Sequence, residues 1–170
     1  MPRLGDRYAG LLGDVRRVVR AAVRDAHGHV VSARGDDVFA VFEHAPSALE
    51  AAVAIQRSMR AGGWPDGSAV RLRIGLHRGR PALTDNGYVG LSVHAAARIC
   101  FAAHGEQIVL SGPAAGAIGE SPPAGVRLRD LGAWRFRGLP EPLVMFQAQA
   151  ADLPADFPPL RSAEPVEQRT

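Results

Sequence analysis

The sequence has no lysine, one cysteine and no long apolar run. All twenty basic side chains among its 170 residues are arginine. The single cysteine, Cys100, excludes an internal disulfide, and beside Ile99, Phe101 and Ala102 we expect it to lie inertly on the buried face of a helix. No segment approaches the roughly 18 apolar residues of a membrane span, and residues 1–13 lack a secretory signal pattern. The sequence therefore predicts a cytoplasmic protein that does not enter a membrane.

The composition is otherwise that of an ordinary globular protein. Apolar residues make up 46% and charged residues 22%, which argues against a disordered or fibrous chain, and the length suits one domain. The formal charge is only +3, and the arginines are scattered through amphipathic segments instead of forming one basic block. We therefore expect no nucleic-acid partner.

The first quarter of the chain predicts a helix followed by a hairpin. Apolar residues recur every three or four positions from Leu4 to Ala26, which is typical of an amphipathic helix. Short extended patterns at His29–Ala33 and Val38–Phe42 are separated by a glycine and two aspartates. Because these residues favour tight turns, Asp36 is expected at the tip of a β-hairpin.

Further helices and strands alternate along the rest of the chain. Pro46 in a first turn and an apolar stripe to Met59 predict a second helix, which ends at Gly62. Alternating apolar and polar residues from Val70 to His77 predict a strand with one buried face. We also predict one more helix and four short strands, at Leu91–His104, Gln107–Leu110, Val126–Leu131, Trp134–Arg137 and Leu143–Gln147.

This order of elements belongs to an α+β sandwich, with helices packed on a mostly antiparallel sheet. The segment Asp152–Leu160 contains three prolines and cannot form a regular element. We therefore predict a domain of residues 1–149, followed by a proline-rich tail or linker of residues 150–170.

The element order and several short motifs resemble those of class III adenylate/guanylate cyclase catalytic domains. The most similar members are bacterial domains that precede ATPase and DNA-binding regulator modules, and the resemblance covers residue 3 to about residue 148. It implies a ferredoxin-like α+β sandwich that converts a nucleoside triphosphate into a 3′,5′-cyclic nucleotide and pyrophosphate, in sites at the interface of a head-to-tail dimer. The motifs are Gly35-Asp36, Arg71-Leu-Arg-Ile-Gly-Leu-His77, Tyr88-Val-Gly-Leu-Ser-Val-His-Ala-Ala-Ala-Arg98 and Leu128-Arg-Asp-Leu131.

The resemblance implies a site in which two carboxylates hold two divalent ions, Mg²⁺ or Mn²⁺. Asp36 matches the second of these carboxylates, although an aspartate after glycine is also good turn chemistry. In the family the first carboxylate lies on a strand before the first helix. Here the resemblance begins with that helix, at Arg3-Leu-Gly-Asp-Arg-Tyr8, so we expect a chain that starts one strand late and lacks this strand and its carboxylate.

Five further positions match functional positions of the family. Arg98 corresponds to the arginine that stabilises the transition state, and His94 stands where many members have a ribose-orienting asparagine. Ser32 and Gly87 occupy the two base-selecting positions, and Arg137 replaces a phosphate-binding lysine. For both arginines the alternative is an ordinary solvated side chain.

Three functions follow from this pattern. The first is a degenerate cyclase homology domain in cyclic-nucleotide signalling, weakly active or inactive alone, which pairs as a homodimer or acts as a half-site partner of a complete cyclase. The second is an active adenylate or guanylate cyclase whose start has been assigned too late. The third is a regulatory module that binds protein and no nucleotide.

Overall fold

The computed structural model describes residues 4–64 and 70–167, and the chain divides into two compact units, Met1–Arg71 and Leu72–Thr170. In the first unit the predicted helix, hairpin and helix are confirmed to within one or two residues. These elements are α1 (Leu4–Asp25), β1 (His29–Arg34), β2 (Asp37–Val41) and α2 (Ala45–Ala61).

The first unit is held together by the apolar face of α1. Val15, Val19 and Val23 recur at helical spacing and are buried, and α1 packs on α2 and on the hairpin. Strands β1 and β2 pair antiparallel with a register shift at Val31, a bulge that leaves this valine 37% exposed. The hairpin turns at Gly35, whose φ of +54° suits glycine.

The second unit contains a five-stranded sheet, a separate two-stranded hairpin and two helices. In the sheet the strand order is β3-β6-β8-β7-β9, and all neighbours are antiparallel except β3 and β6. Helix α3 packs on β3 and β6, which confirms the predicted α+β class. The elements are β3 (Ile74–Leu76), β4 (Ala82–Thr84), β5 (Gly87–Val89), α3 (Leu91–Ala102), β6 (Ile108–Ser111), α4 (Gly112–Ile118), β7 (Val126–Phe136), β8 (Leu143–Ala150) and β9 (Ala163–Pro165).

One apolar cluster of the second unit joins helix α3, the sheet and the segment after β8. Its members are buried side chains whose contacts exclude water, which is the main source of stability for such a unit. They are Ile99, Ala102, Ala103, Val109, Trp134, Phe136, Met145 and Leu160.

Two strand predictions need correction. The strand expected from Val70 to His77 is regular only over Ile74–Leu76. The preceding residues bond to an irregular turn instead, because Glu106, at φ +74°, donates its N–H to the Leu72 carbonyl at 2.8 Å. The two strands expected at 126–131 and 134–137 form one strand, β7. The glycine between them, Gly132, adopts φ +82° in a bulge and does not end the strand.

Helix α4 and the surroundings of Cys100 also differ from expectation. The sequence did not predict α4, whose first turn is capped by the Ser111 hydroxyl accepting from the Ala114 N–H. Cys100 is half-buried, not buried, and its thiol donates to the Arg73 carbonyl at 3.4 Å. The neighbouring Phe101 is 58% exposed, so only Ile99 and Ala102 face the core.

The segment after β8 is irregular through residues 152–160, as its prolines predict. It does not leave the second unit, however, because Leu160 is buried and Ala163–Pro165 pairs with β7. The division into a domain of residues 1–149 and a tail of residues 150–170 stays a prediction. In the described ranges, no helix has both the length and the apolar character needed to cross a membrane.

Candidate functional site

Asp36 and Ser32 lie in the β1–β2 hairpin of the first unit. Asp36 is exposed and follows Gly35 at the tip, as the sequence predicts. The Arg16 guanidinium donates to the Gly35 carbonyl and so ties the tip to α1. Ser32 lies on β1 opposite Phe39, directly after the bulge, and is half-buried. The hairpin therefore presents one carboxylate at its tip, with Asp37 next to it.

The residues around this carboxylate do not fit a pair of divalent ions. Among residues 4–64 and 70–167, no three His, Cys, Asp or Glu side chains form a group that could hold a metal ion. Mg²⁺ and Mn²⁺ prefer near-octahedral oxygen ligation, and a two-ion site needs carboxylates that approach from different chain segments. Asp36 and Asp37 are adjacent on one strand end, so the described residues do not make the implied Mg²⁺ or Mn²⁺ site.

His94 and Arg98 lie one helical turn apart on α3. Both are exposed, while the residues that directly follow them, Ala95 and Ile99, lie on another face of the helix and are buried. This alternation follows from the sequence, because apolar residues at helical spacing turn one face of α3 toward the sheet. The Arg98 side chain is consequently exposed and does not pack in the core of the second unit.

Gly138, the residue after Arg137, comes close to His94. Gly138 has φ +84°, and an ideal Cβ built there would lie 3.0 Å from Nε2 of His94. A larger residue would be strained and would crowd the imidazole, so glycine allows the turn after β7 to approach α3. The structure thus places the residue that follows Arg137 beside His94, although the sequence analysis singled out Arg137 and His94 for separate reasons.

Gly87 has a structural reason to be glycine. It is the first residue of β5, with φ +98°, and its carbonyl accepts from the Thr84 hydroxyl at 3.0 Å across the turn. A residue with a side chain would be strained in this conformation. At this position the turn geometry of the β4–β5 hairpin therefore favours glycine over any residue with a side chain.

Sequence reasoning missed a contact between His77 and Ser111. His77 directly follows β3, Ser111 ends the parallel strand β6, and Nδ1 of the histidine lies 2.7 Å from the serine hydroxyl oxygen. Ser111 is fully buried and also caps α4, so one hydroxyl joins two strands and a helix. Neighbouring parallel strands end at the same sheet edge, but only the register of β3 and β6 makes this pair visible.

We expect acid to destabilise the protein through His77. Burial lowers the pKa of His77 below its ordinary value of 6.5, so below that pH the unfolded chain binds a proton that the folded chain resists. Stability should therefore fall as the pH drops through about 6.5, by at most about 1.4 kcal/mol per pH unit. Urea unfolding between about pH 7.5 and about pH 5.5 should show a smaller loss for His77→Gln than for the wild type. Parallel profiles would contradict this assignment.

The site residues thus fall into two groups. Ser32 and Asp36 belong to the first unit, and Gly87, His94, Arg98 and Arg137 to the second. Gly138 and Ser111 are structural partners that the sequence analysis did not identify. Gly138 could have predicted a tight turn after Arg137, but no sequence pattern predicts that this turn lies beside His94.

Comparisons with known proteins identify relatives of unknown function and a well-known fold. No protein-family model matches the chain. It is 39% identical over 130 residues to uncharacterized proteins of Mycobacterium tuberculosis and Mycobacterium bovis, which covers 76% of this chain and 43% of each relative. The chain therefore spans less than half the length of these curated relatives.

The structural neighbours are class III adenylate/guanylate cyclase catalytic domains. An adenylate cyclase of Trypanosoma brucei in its monomeric state has a TM-score of 0.82 at 19% identity, over 92% of this chain and 84% of that one. An adenylate/guanylate cyclase/hydrolase of Silicibacter pomeroyi has a TM-score of 0.69 at 27% identity, over 80% of both chains. A dimeric guanylyl cyclase domain of Blastocladiella emersonii has a TM-score of 0.69 at 17% identity, over 85% and 84%. The chain has the class III cyclase fold.

Proposed function

We propose that this chain is a class III cyclase homology domain of cyclic-nucleotide signalling that supplies the arginine half of a composite site. Alone it is weakly active or inactive, and it works in a head-to-tail pair with a complete cyclase, which contributes the metal-binding carboxylates. Its own acid at the corresponding place, Asp36, is a poor holder for two divalent ions.

The exposed face of α3 carries this proposal. Arg98 lies on a helix whose core-facing side is buried. Its guanidinium is exposed and can therefore reach a partner. A guanidinium offers a planar set of N–H donors that match phosphate oxygens, and it keeps its charge at all physiological pH values. In the proposed pair, Arg98 donates to the charge that develops on the α-phosphate.

Arg137 and His94 extend the same surface. Arg137 is exposed and lies next to Gly138, against which the His94 imidazole packs. Arg137 in this position is suited to bind the β- and γ-phosphates, and His94 donates a hydrogen bond to the ribose in place of the family's asparagine. Ser32 and Gly87 provide no charged group for base selection, which is consistent with a chain that does not choose the nucleotide itself.

A tandem fusion tests the proposal. The chain is joined by a flexible linker to a complete class III cyclase domain whose arginine at the position of Arg98 is alanine, because linking makes pairing effectively intramolecular. We expect cyclic nucleotide production with Mn²⁺ and ATP or GTP to return in the fusion, while the chain alone stays near background. A fusion of the arginine-deficient domain with a carboxylate-deficient copy of itself confirms that the assay detects complementation.

Two outcomes would replace the proposal with an alternative. Robust turnover by the chain alone, abolished by Asp36→Ala, would indicate an active cyclase. Absence of rescue, together with no shift in melting temperature on adding ATP or GTP with Mn²⁺, would indicate a protein-binding module, because a ligand of the native state must stabilise it.

A further inference from the structure

The segment that follows β8 runs back over the second unit, and we name residues 152–165 the strap. Two of its backbone groups meet the end of α3. The Arg161 N–H donates to the Ala102 carbonyl at 2.9 Å, and Nε2 of His104 lies 2.9 Å from the Pro159 carbonyl oxygen. The strap is therefore attached to the helix that carries Arg98.

One of these bonds adds to the C-terminal cap of α3. The last carbonyls of a helix have no partners within the helix, and many helices satisfy them through a glycine in the left-handed conformation. Helix α3 ends at Ala102, and the following Ala103, at φ −72° and ψ 160°, is not in the left-handed conformation. Its N–H donates to the Cys100 carbonyl at 3.2 Å, which leaves the Ala102 carbonyl to be satisfied from outside the helix. The Ala102 carbonyl instead finds its donor in Arg161, far along the chain. The strap thus satisfies one carbonyl of the last turn of α3.

Apolar packing holds the strap in the same place. Leu160 is 7% exposed and belongs to the cluster that contains Ile99 and Ala102. Ile99 is adjacent to Arg98, so the side chain that anchors this helical turn to the core packs in the same cluster as Leu160. Loss of Leu160 would open a cavity beneath the turn that presents Arg98.

The beginning of the strap is fixed by a buried polar chain. The side-chain amide of Gln107 donates to Gln147 at 2.8 Å, and that of Gln147 donates to the Ala155 carbonyl at 2.8 Å. Both glutamines are 2% exposed. A buried amide that loses its partner is costly, so the strap also satisfies groups that would otherwise be stranded.

The end of the strap reaches the second site element. In β9, Ala163 pairs with Phe136 and Pro165 with Trp134, next to the end of β7. Arg137 is the residue that follows Phe136. The strap therefore contacts the two elements that carry the site's arginines, α3 near Arg98 and β7 near Arg137.

We propose that the strap is a positioning device, which holds Arg98 and Arg137 in one arrangement that is lost when the contacts of the strap are removed. The inference rests on the proposed function, because it concerns the arginine half-site. Leu160 of the strap and His104, which follows α3, are positioning residues that act through α3 and do not touch the nucleotide. Displacement of the strap lowers turnover of the composite site without removing either arginine.

The test compares Leu160→Ala with Ile118→Ala in the tandem fusion. Ile118 is a buried residue of α4 in the same unit and is 5% exposed. It is not a member of the apolar cluster that contains Leu160, so Ile118→Ala is a control that removes a similar core volume elsewhere. Both are assayed well below their melting temperatures. We expect Leu160→Ala to lower kcat by about tenfold to a hundredfold, because small misplacements of a catalytic group have effects of this size. Ile118→Ala should leave kcat close to the wild-type value.

Hydrogen exchange provides a readout that does not depend on activity. In the intact chain, Leu160→Ala should speed amide exchange at residues 99–104 and at the end of β7, and Ile118→Ala should not. The milder His104→Ala, which removes one strap bond, should act in the same direction and covers the case in which Leu160→Ala does not fold.

The two proposals fail in different ways. If the wild-type chain does not rescue the fusion, the proposed function falls, and equal exchange in the Leu160 and Ile118 variants would then overturn the strap as well. If the wild type rescues but both variants lower kcat equally, the strap has only a structural role. Faster exchange with unchanged kcat would also overturn it.

Discussion

Replacing Arg98 with alanine should abolish rescue in the tandem fusion, with kcat lowered by about 10²- to 10³-fold, the usual cost of removing one donor to a developing oxyanion. The reason is that the fused cyclase domain carries alanine at this position, so Arg98 supplies the arginine of the composite site. Because Arg98 is exposed and faces away from the core, the substitution should leave the melting temperature nearly unchanged. Cyclic nucleotide production and thermal unfolding measure the two effects separately.

Two variants make this result specific. Arg98→Lys keeps the charge but loses the planar pair of donors, so we expect partial activity. Arg127→Ala removes an equally exposed arginine on β7, remote from α3 along the chain, and should leave rescue intact. Full rescue by Arg98→Ala would show that this residue is an ordinary solvated side chain.

Gly75→Ala should be severely destabilising, although glycine-to-alanine changes are among the mildest substitutions. Gly75 lies in β3 beneath α3, and an ideal Cβ there would be 2.5 Å from the Cys100 nitrogen and 2.7 Å from its Cα. Both atoms belong to the backbone, so no side chain can move aside and the helix must shift as a whole. We expect a loss of about 3 kcal/mol or more, at the upper end for overpacked cores.

The matched control for this substitution is Gly116→Ala in α4 of the same unit. Nothing lies within 4 Å of an ideal Cβ at Gly116, and the residue is exposed within a helix. Alanine should therefore stabilise the protein by up to about 1 kcal/mol. Urea or thermal unfolding of both variants checks the pair, and equal stability would show that β3 and α3 are not packed so closely.

Local pattern was sufficient wherever the physical cause is local. The helices α1 and α2 and the hairpin with Asp36 at its tip follow from apolar spacing and turn residues, and the structure has them within one or two residues. The exposed side of α3 follows in the same way, because His94 and Arg98 each directly precede one of the buried residues Ala95 and Ile99.

Local pattern failed where a partner from elsewhere decides the outcome. Gly132 resembles a strand end, yet pairing of both flanks with β8 turns it into a bulge within β7. The prolines of 152–160 predict irregular backbone but give no hint that Leu160 is buried in the same apolar cluster as Ile99. Short helix α4 depends on a cap whose serine is buried by the sheet.

The sequence by itself determined the fold class, the turn that exposes Asp36 and the helix that exposes Arg98, because propensity and periodicity act over a few neighbouring residues. Only the tertiary structure decided that Gly138 lies beside His94, that Gly75 lies against the backbone of α3, and that the strap satisfies the Ala102 carbonyl at the end of that helix. These are contacts between residues distant in the chain, and their geometry depends on strand register and close packing, which no short stretch of sequence contains.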